Sequence, residues 1–159
     1  MEPDRAAYLA GLRMLARREL SEQQIRQRLA RKEFEADAID AAVARLKENR
    51  SLDDERVAGA LARSEIGIKR HGRLRAQRQM EAAGLPPALA RRALDEVFES
   101  TDGDALIAGA LAKRLPGDAL VEDEKQFRRL YRYLIGQGFE PDRVLSALRA
   151  RRRPGTRRA

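Results

Sequence analysis

A chain of 159 residues has room for one ordinary domain or a short array of small modules, and not for two large enzyme lobes. Ala (27), Leu (20) and Arg (28) supply nearly half of it, while Val, Ile and Thr total 13, which excludes a sheet-rich fold and points to an all-α one. The formal net charge is +8, 43% of residues are apolar and there is no Cys, which excludes general disorder, disulfide scaffolds and thiolate sites.

Apolar periodicity and helix punctuation predict nine helices in chain order, over 4–18, 21–32, 36–49, 53–68, 72–83, 87–99, 104–114, 122–136 and 141–150. Ser21 followed by Gln24 reads as a capping box opening the second helix. Asp53-Asp54-Glu55 places negative charge on the first turn of the fourth, where the helix dipole favours it. Pro86-Pro87 and Pro141 stand where further helices begin. Gly84 and Gly138 suit the left-handed residue that ends a helix, and Glu33 occupies the same place at greater cost.

These helices fall into repeats. Leu9-Ala10-Gly11, Val57-Ala58-Gly59 and Ile107-Ala108-Gly109 recur at intervals of 48 and 50 residues, and Glu33-Phe34, Gly84-Leu85 and Gly138-Phe139 at 51 and 54. Around the second landmark the apolar positions superimpose: Ile25, Leu29, Ile39 and Val43; Ala76, Met80, Ala90 and Leu94; Leu130, Leu134, Val144 and Leu148. Spacings of four put each pair on one helix face. The expected architecture is three tandem three-helix repeats, 1–50, 51–100 and 101–150, followed by a basic tail, 151–159, expected to be disordered. A module of about 50 residues buries little surface alone, so the repeats should lean on one another in an elongated, curved array.

Catalytic constellations are scarce. His71 is the single histidine, no serine sits in a nucleophile elbow, and no Gly-rich phosphate loop is present. His71 precedes Gly72 between helices and reads as a loop or capping residue. Asp53, Asp54 and Glu55 fan out around a turn and read as a helix start rather than a cation site. The expectation is a protein without catalytic residues, metal or cofactor. No signal peptide or bilayer-length apolar run is visible, so a soluble cytoplasmic monomer is expected, with no membrane partner.

Basic residues carry more information. Lys69, Arg70, Arg73, Arg75 and Arg78 form one cluster without an acid between Glu65 and Glu81. Arg128, Arg129 and Arg132, interleaved with Tyr131 and Tyr133, form another. The two tyrosines are two apart and cannot share a helix face, so one is expected in the core and the other outside. Residues 149–159 carry +6, leaving +2 over 1–148, of which 69–78 contributes +5. The body is therefore nearly balanced, with concentrated basic features that read either as contact surfaces or as solvated faces and a solubility tail. Arg forks match phosphates and carboxylates alike. A three-helix unit used like a helix-turn-helix on nucleic acid is the competing reading.

One family shares these residues in order. Ser51-Leu52-Asp53-Asp54-Glu55-Arg56-Val57-Ala58 resembles the "hydrophobic-D-D-x-R-F-A" opening of the second repeat in the RecX regulatory proteins. Gly72-Arg73-Leu74-Arg75-Ala76 to Met80, then Gly84-Leu85, resembles the family's "G-P-x-R-I-x-x-E-L-x-x-K-G-I" segment. Arg132-Tyr133-Leu134-Ile135-Gly136-Gln137-Gly138-Phe139 resembles its "R-F-L-x-x-R-G-F" core, and Leu12 to Leu29 its start. Val57 stands for the usual aromatic, Arg73 for Pro, Ala76 for Ile and Glu33 for Gly, departures that touch packing and turns. The resemblance spans residues 6–150. It implies a bacterial cytoplasmic protein that binds the RecA recombinase filament, by groove binding or by capping. Such a protein lowers ATP hydrolysis, strand exchange and coprotease function, and so tunes recombination and the SOS response. On this reading both basic clusters, with Tyr131, face RecA, the single-stranded DNA within its filament, or both.

Overall fold

A computed structural model describes residues 2–155, and those residues are helical throughout apart from their turns. Helices α1 (Pro3–Arg17), α2 (Glu22–Arg31) and α3 (Ala36–Glu48) form the first repeat. The second comprises α4 (Asp54–Arg63), α5 (Arg73–Ala82) and α6 (Pro87–Glu99), the third α7 (Gly103–Ala112), α8 (Glu124–Gly136) and α9 (Pro141–Ala150). Local sequence explains the starts. Ser21 accepts the Gln24 N–H while the Gln24 side chain accepts the Ser21 N–H, the reciprocal cap anticipated there. Asp53 accepts the N–H groups of Glu55 and Arg56 and opens α4. Asp102 and Asp123 do the same for α7 and α8.

All twelve apolar positions aligned across the repeats are buried, from Ile25 to Leu148. Each pair of spacing four supplies the inward stripe of one short helix, which is why an Ala-rich, highly charged chain still holds a core. By contact the chain divides into two units, residues 2–61 with 79–93 and residues 62–78 with 94–155. The division runs through α4, α5 and α6, each of which contributes residues to both. In the first unit Leu20, Ile25, Leu29, Leu46 and Leu52 close the core. Gly11 lets α1 approach the Leu46 side chain of α3.

A recurring junction joins helices within each unit. In the first, Ser21 Oγ donates to the Ala83 carbonyl at 2.6 Å, and Gln23 lies so close to Gly84 that a side chain on that glycine would collide with it. In the second, the N–H groups of Gly72 and Leu74 donate to the carbonyls of Gln137 and Gly138, at 2.8 and 2.9 Å. The start of one repeat's second helix thus meets the glycine turn that follows the next repeat's second helix. Free donors of a helix N-terminus are satisfied by carbonyls released at a helix end. Gly84 and Gly138 are required twice over, by positive φ and by this approach. Glu33 has the same left-handed backbone, φ 65°, yet is exposed, and the strain there is conformational alone.

One expectation is corrected. Residues 151–153 are not a free tail, because Arg151 donates to the Gly117 and Ala119 carbonyls and Arg152 pairs with Glu124 over the Phe127 ring. Arg153 pairs with Glu122, and Val121 and Arg152 form an isolated parallel bridge. Residues 156–159 of that expected tail lie outside the described residues.

Candidate partner-binding surface

Both predicted basic clusters belong to the second unit. Helix α4 is followed by a π-helical turn, Ser64–Ile68, that carries the chain toward α5. Wider π turns interrupt regular helices at special sites. Here the turn turns Glu65 inward, leaving it 2% exposed, and a buried carboxylate needs partners. It has two: Lys69 Nζ lies 2.8 Å from Oε1 and His71 Nδ1 2.6 Å from Oε2. Burial alone pushes the Glu65 carboxyl upward, but the hydrogen bonds from Lys69 and His71 hold it below the ordinary glutamate value. The His71 N–H donates to the Glu65 carbonyl at 2.9 Å, so one residue ties the following loop through backbone and side chain.

That loop holds Arg70 at φ 59°, a left-handed conformation that costs a non-glycine residue about 1 kcal/mol or more. Just before it, Ile68 is 80% exposed. Among the described residues Ile68 and Leu74 are the exposed large hydrophobic side chains.

The five basic residues of the first cluster divide by role. Lys69 is answered by Glu65. Arg73 pairs with Asp95 and lies over the Phe98 ring, fixing the start of α5. Arg75 is half-buried and donates to the Gly136 carbonyl at 3.3 Å. The Arg70 and Arg78 side chains are exposed and make no hydrogen bond or ion pair among the described residues. Within the cluster, Arg70 and Arg78 thus face outward, while Lys69, Arg73 and Arg75 also hold the segment.

On α8 the amphipathic pattern is clear: Phe127, Leu130 and Leu134 face inward, while Lys125, Arg128, Arg129 and Arg132 are exposed. Arg128 lies 3.9 Å from Glu124. Tyr131 and Tyr133 are both half-buried, correcting the expectation of one inside and one outside, and the Arg114 guanidinium covers the Tyr133 ring at 4.5 Å. From the first cluster, Arg75 reaches the Gly136 carbonyl, one turn beyond Arg132 on α8. The approach of the start of α5 to the turn after α8 depends on Gly72 and Gly138, where any side chain would strike backbone.

Ile68, Glu65 and Leu74 escaped the sequence reading. A search for cations passes over an isoleucine, and the Glu65–His71 pair is closed by a π turn that ordinary helical spacing does not anticipate. Among the described residues no group of three His, Cys, Asp or Glu could hold a metal, and no helix is long and apolar enough to cross a membrane.

Comparison with known proteins gives this surface its setting. Residues 7–46 match the family model described as RecX, first three-helix domain. The chain is 30% identical over 140 residues to a regulatory protein RecX of Syntrophotalea carbinolica, covering 87% of this chain and 92% of that one. It is 32% identical over 143 residues to a regulatory protein RecX of Trichlorobacter lovleyi, covering 86% and 90%. In fold it is similar to the crystal structure of RecX from Lactobacillus salivarius, with TM-score 0.75, 18% identity, and coverage of 93% of this chain and 96% of that one. By sequence along nearly its whole length, the chain belongs to the RecX family of regulatory proteins.

Proposed function

We propose that this RecX-family protein binds the RecA recombinase filament and restrains it. The restraint reaches ATP hydrolysis, strand exchange and coprotease function, and so tunes recombination and the SOS response. It acts as a cytoplasmic monomer by binding, without catalysis of its own. The observation that carries this reading is similarity to regulatory proteins named RecX across about nine tenths of the chain. The exposed cations Arg70, Arg78, Arg128, Arg129 and Arg132, all in one unit, support it. Contacts repeated along a filament add through effective concentration, so modest single contacts suffice.

The test is single-stranded-DNA-dependent ATP hydrolysis by RecA, titrated with this protein. The expected result is inhibition below one molecule per recombinase that persists when free DNA is added in excess. Inhibition that disappears with excess DNA identifies a DNA competitor acting through a helix-turn-helix-like unit, and no inhibition refutes the reading outright.

A further inference from the structure

Four features converge on one short stretch of the second unit. The π turn Ser64–Ile68 ends on an isoleucine that is 80% exposed, an expensive placement for a large aliphatic side chain. Two residues later Arg70 is held in a left-handed backbone. Glu65, itself buried, secures that loop by gripping Lys69 and His71. On the following helix Leu74 is 39% exposed, and Arg78 lies one turn further along the same face. The left-handed Arg70 ends the turn, but the exposure of a large aliphatic side chain beside a loop already fixed by a buried carboxylate does nothing for the fold and marks a segment shaped for something outside it.

The side chains identify what that is. Lys69 and Arg73 are neutralised within the protein by Glu65 and Asp95, so the segment presents two aliphatic groups and two cations, Arg70 and Arg78. A groove that tracks nucleic acid joins cations to flat aromatic rings on which bases stack, and neither Ile nor Leu offers such a face. Aliphatic anchors set among arginines suit a protein surface with a shallow apolar depression and carboxylates at its rim. We infer that segment 68–78 is a preformed protein-docking knob: Ile68 and Leu74 enter an apolar depression on the recombinase, and Arg70 and Arg78 pair with acidic side chains around it. This rests on the proposed function and adds the chemistry of the contact. The loop needs no ordering at the encounter, because Glu65 has already set it, and binding is spared that entropy.

The test uses the full chain and its cognate RecA. Half-inhibition of ATP hydrolysis, affinity for single-stranded DNA alone, and the melting temperature are measured for the wild type, Ile68→Ser, and the double variant Arg70→Ala with Arg78→Ala. The expected result is a rise of roughly tenfold or more in the concentration needed for half-inhibition in each variant. Affinity of Ile68→Ser for DNA alone and both melting temperatures should be unchanged. Full inhibition by the Ile68→Ser protein overturns the knob and leaves the proposed function standing. Parallel loss of inhibition and of DNA affinity by Ile68→Ser assigns the surface to nucleic acid and also overturns it. A wild type that fails to inhibit removes the proposed function and the knob with it.

Discussion

Glu65 shows what a single residue does in this protein. Its carboxylate is buried and accepts from Lys69 and His71, and those bonds outweigh burial to lower its titration point. The sign follows. A depressed carboxyl stabilises the fold fully above the unfolded glutamate value, and that stabilisation disappears as pH falls through the lowered folded value. Glu65→Gln is expected to cost about 1–3 kcal/mol at neutral pH. It should also flatten the acid limb of a plot of melting temperature against pH, and a variant that melts like the wild type at every pH refutes the role. Glu33 supplies the opposite case. Its left-handed backbone is exposed and unopposed, so Glu33→Gly should raise stability by about 1 kcal/mol, read from urea midpoints. Its strain was legible in the sequence, because the residue stands where the other repeats have glycine. The role of Glu65 was not legible, since nothing in spacing announces a π turn.

At the scale of elements, the second helices of the first two repeats make the long-range junctions. The start of α2 grips Ala83 and Gly84, and the start of α5 grips Gln137 and Gly138. Periodicity located every helix boundary to within about two residues except the end of the fourth, where the predicted 53–68 runs through the π turn and α4 itself stops at Arg63. It did not reveal the junction, because the partners of Gly72 lie more than sixty residues away. Gly138→Ala should be strongly destabilising, about 3 kcal/mol or more, since it combines a disfavoured backbone with collision against Arg75. By contrast, Arg129→Ala with Arg132→Ala on the solvent face of α8 should leave the melting temperature within a degree or two while weakening inhibition of RecA. Circular dichroism melts and ATPase titrations separate the two classes. Equal stability losses in both would contradict the division between fold and surface.

For the molecule as a whole, the +8 charge has a different meaning than its size suggests. Arg151, Arg152 and Arg153 are engaged by the carbonyls of Gly117 and Ala119 and the carboxylates of Glu124 and Glu122. Deleting residues 151–159 should therefore lower stability by about 1–2 kcal/mol rather than merely change solubility. The basic tail was expected to be disordered, because the sequence carried no local sign that Arg151, Arg152 and Arg153 have acceptors some thirty residues back. What was legible in the candidate surface was its cations, and what was missing was their division into organising and outward-facing members. The most direct measurement is equilibrium binding of the fluorescently labelled full chain to three targets: RecA filaments on single-stranded DNA, free RecA, and the same DNA alone. Regulation through the filament predicts affinity for filaments at least tenfold above that for either component at physiological salt, and equal or tighter binding to bare DNA would contradict it.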